Sequence, residues 1–330
     1  MGRIAADYKE LDDFVIVRSN GKPLYLLCNV VDDIRDRISH VVRGQDHMTN
    51  TLKQILLYEA LEAPLPRFGH MPLTLDNKKA KISKRSHGEI VAVQFYRDAG
   101  FIPWAFNNFL ALLGWSAGDD KEFFSRDELI AAFSFERINR SSAIFNYRKN
   151  DPKFFTDPKA IAINEHYLRT MEIGELGDMV QKELAAAGLW RAAYASEEKQ
   201  WYLRTLDMLR ERFHTLKDFP SLGRAYFADD YIIEDKPLQK NILKHEGLKE
   251  WFPQLADRYE ALAAEKWTAE AAEEIAKNYA EDLQIKPGIL INGIRTIVTG
   301  QAAGPFIFDI LVQIGQQRVV ERLRKIDTYL

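Results

Sequence analysis

Five of the eight residues from 78 to 85 are basic, within the run Asn77-Lys78-Lys79-Ala80-Lys81-Ile82-Ser83-Lys84-Arg85. Several unit charges then lie within one Debye length, about 8 to 10 Å at ordinary ionic strength. A docked triphosphate would be stabilised there, and a departing pyrophosphate more so. The plainer alternative is a solvated lysine-rich turn, because short basic strings also arise from composition. A second cluster, Val41-Val42-Arg43-Gly44-Gln45-Asp46-His47, is an apolar run that ends in chemistry-bearing residues. At the carboxyl end of a strand in an open α/β sheet, Gly44 would let a ligand approach the backbone and Arg43 would offer a planar fork to a carboxylate. Its alternative is a strand-ending turn with Arg43 paired to Asp32 or Asp33. Tyr25 and Asn29, taken as part of an extended run, share one strand face; their phenol and amide hold either a polar ligand or each other.

These residues need elements to position them. Phe14 to Val17 and Leu24 to Leu27 flank Ser19-Asn20-Gly21, a hairpin signal lengthened by Lys22-Pro23, so the first 25 residues read as a small β element. Ile38 to Val42 reads as a strand. After His47 the period changes to helical, with Leu52, Ile55, Leu56 and Ala60 on one face and Asn50 and Thr51 as candidate caps. From Glu89 helix punctuation dominates: Gly100 closes one segment, Pro103 opens the next and Gly114 ends it. Ser125 and Glu128 form a capping-box pair ahead of Leu129, Ile130 and Phe133. Beyond Asn150 the apolar spacing is helical, over Trp201 to Leu216, His245 to Ala264 and Thr268 to Leu283, with another start at Gly304-Pro305. Lys149 to Pro158 is the expected hinge.

Composition narrows the class without naming a partner. At about 150 residues per domain, 330 residues predict two domains, and 45 basic against 48 acidic residues leave a net charge of −3. Cys28 is the single cysteine, which excludes an internal disulfide and any structural zinc site needing two thiolates from this chain. A reducing, cytoplasmic setting is the expectation. The longest apolar stretches, Leu24 to Val31 and Phe109 to Leu113, fall short of the roughly 20 residues that cross a bilayer. The MGRIAADYKE start has no apolar h-region and carries Ala6 where a myristoylation signal wants Ser or Thr, so no membrane attachment is expected.

In this order and spacing, the residues Tyr25 to Asp33 (YLLCNVVDD), His40 to Thr51 (HVVRGQDHMTNT), Gln54 to Ala60 (QILLYEA), His70 to Leu73 (HMPL) and Lys81 to Arg85 (KISKR) resemble a bacterial glutamyl-tRNA synthetase, a class I aminoacyl-tRNA synthetase. The last string is similar to the family's KMSKS-type loop. Asn107 to Trp115 and Arg295 to Gly300, followed by Gly304-Pro305, look like its stem-contact and terminal helical segments. The resemblance implies an α/β remnant of a class I nucleotide-binding, Rossmann-like fold followed by an all-α anticodon-binding domain. It implies these regions: 1–25, the end of an insertion; 26–88, the second half of the catalytic domain; 89–148, a stem-contact helical region; 149–330, the anticodon-binding domain.

By the same resemblance, Lys81, Ser83 and Lys84 sit on a mobile loop over the ATP phosphates, with Lys84 the main pyrophosphate cation. Gly44, Asp46 and His47 line the adenylate, Leu73 and Thr74 flank the adenine, and Tyr25, Asn29 and Arg43 hold L-glutamate. ATP is a substrate that brings Mg2+, with no protein metal ligand, and tRNA(Glu) receives the glutamyl group. The substrate carboxylate is itself the nucleophile, so positioning and charge stabilisation suffice without a general base. Arg43 would favour glutamate over glutamine, whose neutral amide matches a guanidinium poorly. Three departures stand out. None of the seven histidines begins a HIGH-like string, which implies a chain holding only the KISKR half of the site and inactive alone. Gln45 stands where many members carry Glu, and residues 146–164 diverge from the family's common sequence. The competing reading is a noncatalytic helical tRNA-binding module.

Overall fold

A computed structural model describes residues 5–147 and 155–329. Its backbone divides into two units: Met1–Tyr96 with Pro103–Ile163, and Arg97–Ile102 with Asn164–Leu330. Most of the expected hinge, Lys149 to Pro158, lies outside the described residues.

The first unit opens with α1 (Tyr25–Arg35), β1 (His40–Gly44), α2 (Met48–Ala60) and β2 (Arg67–Met71). β1 and β2 run parallel, with Arg43 opposite His70 and Val42 opposite Gly69. The expected strand through Tyr25 and Asn29 is a helix instead. Leu26, Val30 and Ile34 recur every fourth residue, and fully buried Val30 joins Leu57 and Tyr58 in a core to which Leu26, Ile34 and Phe68 also pack. The run of apolar residues hid this period. Tyr25 and Asn29 still share a face, because residues four apart also align on a helix.

The small β element expected at the amino end is also corrected. Asn20-Gly21 does make a turn, with Gly21 at φ +76° and its amide bonded to Arg18 O. The strands around it reduce to a single bridge between Val17 and Pro23, because proline has no amide hydrogen to extend the ladder and the helix starts two residues later. The strand expected over Ile38 to Val42 is shifted to His40–Gly44.

In α2 the residue before the helix is His47, not Asn50 or Thr51, and Leu52, Ile55, Leu56 and Ala60 are not its buried face. Thr51, Gln54, Leu57 and Tyr58 are buried, so half of the inward surface is polar. The polar half has a structural reason given below.

The chain continues through β3 (Thr74–Leu75), α3 (Lys84–His87), α4 (Val93–Asp98), α5 (Pro103–Leu112), α6 (Arg126–Ala132) and β4 (Ala143–Ile144), which pairs parallel to β3. Pro103 opens α5 as read from sequence, and Ser125 with Glu128 forms the expected capping box, its carboxylate held down to about 2 chiefly by Lys121 and by the Ser125 amide. Trp115, Ala117 and Phe124 form a second small core beneath α6, with Leu112 and Leu129 against it.

The helical half follows as α7 (Pro158–Thr170), α8 (Ile173–Ala186), α9 (Lys199–Arg210), α10 (Arg224–Phe227), α11 (Asp235–Pro237), α12 (Leu248–Glu260), α13 (Ala269–Asp282), α14 (Pro287–Thr299), α15 (Ile307–Ile314) and α16 (Gln316–Arg324). Pro287 begins α14 and Gly300, in the left-handed region at φ +77°, ends it. Buried Phe252, Leu255, Tyr259, Ile294, Ile297, Val319 and Leu323 make a core at the far end of the chain. Arg322, only 4% exposed, is satisfied there by Asp229, by the carbonyls of Val298, Ala225 and Ala228, and by the face of Tyr231. No described helix is long and apolar enough to cross a membrane.

Candidate functional site

Arg43 lies near the carboxyl end of β1, with its side chain turned to α2. Its Nη2 donates to Thr51 Oγ1 at 2.7 Å and to Gln54 Oε1 at 2.5 Å. Gln54, 1% exposed, uses its other end to donate to Asn29 Oδ1 at 2.6 Å, which fixes the amide's orientation. Thr51 Oγ1 also meets His70 Nε2 on the neighbouring strand at 2.8 Å. The inward polar face of α2 thus exists to hold the guanidinium, and helical spacing puts Thr51 and Gln54 side by side for it.

All of these partners are neutral. Among the described residues no carboxylate pairs with Arg43: Asp33 instead accepts from the Tyr58 hydroxyl at 3.4 Å, and Asp46 pairs with Lys81. The pairing with Asp32 or Asp33 weighed above is therefore absent. Arg43 Nε is buried with no partner at all. Burial pushes the Tyr58 phenol up to about 12, with Asp33 adding to it. Burial, then Arg43 and His47, carry His70 below the ordinary histidine value and so favour its neutral form beside the guanidinium.

The strip after Arg43 meets the lysine loop. At Gly44 an added Cβ would push the Asp46 carboxylate aside and rest against Leu73. Lys81 donates to Asp46, and this contact, ahead of burial, which opposes it, sets the Asp46 carboxyl below the usual range. The loop is a tight hairpin: Leu75 bridges Lys81, Ile82 N bonds Thr74 O, and Lys79 takes a left-handed φ of +63°. Asp76 pins it by accepting from the amides of Lys78 and Ala80 and from His87 Nε2 at 3.2 Å, and the Ala80 amide leads the causes that lower its pKa. Ser83 caps α3, leaving Lys84 exposed at its first position.

Gly44, Asp46, Leu73 and Lys81 are therefore brought together, Thr74 through its neighbours, and Arg43 adjoins them in the chain with its side chain on α2. Asn29 joins through Gln54. Tyr25, half exposed, joins through His47, whose ring lies 5.9 Å away. Ser83 and Lys84 follow on the same loop without touching the strand-end cluster, and Lys78, Lys79, Lys84 and Arg85 have no carboxylate partner among the described residues. Sequence reasoning missed Thr51, Gln54 and His70 as site residues. The signal for Gln54 was a lone amide amid Ile55, Leu56 and Leu57.

In the second unit, Arg210 is occupied by Asp207 and by the Met171 carbonyl, and Arg224 by Asp230, whereas Arg204 and Arg212 are exposed. Arg295 is the unexpected one. Burial, with Arg212 nearby, lowers its pKa, and its Nη1 is buried without a partner.

Residues 1–151 match the family described as tRNA synthetases class I (E and Q), catalytic domain, and residues 175–327 match the anticodon binding domain family. The chain is 70% identical over 324 residues to the glutamate–tRNA ligase of Desulfotalea psychrophila, covering 98% of itself and 66% of that protein. It is 39% identical to glutamate–tRNA ligase 2 of Koribacter versatilis, covering 98% of itself and 64% of that relative. A crystal structure of a glutamate tRNA ligase from Elizabethkingia meningosepticum in complex with its amino acid superposes with a TM-score of 0.76 at 27% identity. That match covers 98% of this chain and 63% of the other. The chain thus spans just under two thirds of the length of these relatives.

Proposed function

Because the chain belongs to the glutamate–tRNA ligase family of class I synthetases, we propose that its strand-end cluster and lysine loop form part of a site that joins L-glutamate to ATP as glutamyl-adenylate and delivers it to tRNA(Glu). One observation carries this reading: Arg43 is held by neutral groups only, with Nε buried and partnerless. A partly buried guanidinium with no counter-charge and an unsatisfied Nε is unfavourable, and a ligand carboxylate supplies both the charge and the missing acceptor.

In this reading Arg43 takes the side-chain carboxylate of glutamate, with Tyr25 and Asn29 beside it. Gly44, Asp46, His47, Leu73 and Thr74 line the adenylate, and Lys81, Ser83 and Lys84 close on the phosphates. The glutamate α-carboxylate attacks the α-phosphorus, and the lysines stabilise the charge that moves onto the departing pyrophosphate. Mg2+ comes with ATP; a hard, reluctantly dehydrated cation is commonly carried by substrate phosphates. The tRNA lies along the helical regions, the stem over residues 89–148 and the anticodon over 149–330, and the reaction belongs to the cytoplasm. The unneutralised Arg212 and Arg295 suit phosphate or base edges. Residues 1–25 close an insertion, and 26–88 carry the catalytic half.

With no HIGH-like string among its seven histidines, the 330-residue chain is expected to bind without turnover. The test is titration of ATP and of a nonhydrolysable glutamyl-adenylate analogue into the chain, with Lys84→Ala as control. Saturable binding that the substitution weakens supports the proposal. Binding of tRNA with no effect of either nucleotide would replace it with the noncatalytic tRNA-binding module.

A further inference from the structure

Resting on the glutamate reading of Arg43, we propose that Thr51 and His70 are positioning residues for that guanidinium. His70 Nε2 accepts the hydrogen bond that the Thr51 hydroxyl donates, which orients a Thr51 oxygen lone pair toward Arg43.

A hydroxyl has one proton and two lone pairs. Arg43 has only protons to give, so its 2.7 Å contact uses a lone pair on Thr51 Oγ1. The proton then has two possible acceptors, His70 Nε2 at 2.8 Å and the His47 carbonyl one turn back at 3.1 Å. The imidazole contact is the shorter, and it requires His70 to carry its hydrogen on Nδ1. A relay of this kind polarises along its length and fixes each member's orientation. Gln54 holds the same Nη2 but is oriented through Asn29, so the guanidinium is gripped from two helices and the adjacent strand.

Charge around the imidazole favours this state. Arg43 and His47 oppose its protonation, as does burial. Along the cavity of about 770 Å³ that it also lines, the titratable groups are His40, Arg67, Glu136 and Arg140. An imidazolium at position 70 would set a second cation one hydroxyl away from Arg43. Thr51 and His70 thus act on the ligand only through Arg43.

The experiment is nitrogen-resolved NMR of the full chain, labelled at histidine and arginine side chains, for the native protein and for Thr51→Val and Thr51→Ser. At pH 7 the expected result is an unprotonated Nε2 on His70 and a well-ordered Arg43 Nε–H in the native protein and in T51S. In T51V, Arg43 becomes mobile and its response to L-glutamate weakens about tenfold, in keeping with loss of one hydrogen bond to a charged group. A proton on His70 Nε2 in the native protein overturns the proposal, as does an Arg43 equally ordered in T51V. If T51V does not fold, the native tautomer alone decides. If L-glutamate leaves Arg43 unshifted while its order still follows the Thr51 hydroxyl, the glutamate reading falls and the coupling stands.

Discussion

Arg322 and Arg43 each carry buried guanidinium atoms, and the fold treats the two in opposite ways. Arg322 in the helical unit is 4% exposed and meets a carboxylate, three backbone carbonyls and an aromatic face. Even so, burial lowers its pKa. Asp229 is raised by its own burial, but Arg322 and Arg318 outweigh that and leave it below the usual carboxylate value. Arg43 at the strand end is hydrogen-bonded through Nη2, to a hydroxyl and an amide, and no counter-charge accompanies it among the described residues. Burial and hydrogen bonding therefore do not mark a site. The absent anion does, because a structural cation is neutralised within the fold whereas a binding cation is left for its ligand.

This contrast is broken most severely by removing the structural member. Arg322→Ala leaves the buried Val298 carbonyl without its donor and takes one of two arginines from Asp229, Ala225 and Ala228, with Arg318 remaining; it is expected to destabilise the helical unit by about 2 to 3 kcal/mol, measured by urea unfolding followed through tryptophan fluorescence. Arg43→Gln is expected to change stability by less than about 1 kcal/mol, since it deletes an uncompensated charge along with its bonds. The same change should weaken a glutamate-bearing ligand by about 30- to 100-fold, the scale for truncating one partner of a desolvated charge pair. Comparable stability losses in the two variants would erase the distinction.

Smaller effects sharpen it. Lys84→Ala is expected to leave folding untouched and to weaken ATP or pyrophosphate about tenfold by calorimetry, the order of one charge-assisted contact. The smallest effect belongs to Asp46→Asn, which frees Lys81. An exposed pair of this kind contributes about 0 to 1 kcal/mol. Because the folded-state pKa of Asp46 is lowered, its contribution is present above the ordinary carboxylate value of about 3.9 and is lost as pH falls through the lower folded value. Lys81 should therefore be ordered at pH 7 and become mobile only as acid titrates Asp46 below the ordinary carboxylate value, by side-chain NMR; an Asp46→Asn chain should show that mobility at pH 7 already.

Punctuation was legible in the sequence where one residue type has one physical use. Pro103 and the Ser125 and Glu128 box stand where they were read. The helical second half followed from its spacing. The amino end was misread because Leu24 to Val31 is apolar enough to satisfy either period, and only packing of Leu26, Val30 and Ile34 against α2 decides between them. At the site, Arg43 and the lysine loop announced themselves by charge. Thr51, Gln54 and His70 did not, since a threonine and a glutamine on a helix gain meaning only when a strand places an arginine opposite them.

The central claim is that the unneutralised guanidinium at position 43 seats a ligand carboxylate. The most direct measurement is the affinity of the full chain for a nonhydrolysable glutamyl-adenylate analogue against its glutaminyl counterpart, in the native protein and in Arg43→Gln. The account predicts a preference of tenfold or more for the glutamyl form that disappears in the variant. Equal affinities in the native protein, or a preference that survives the substitution, would contradict it.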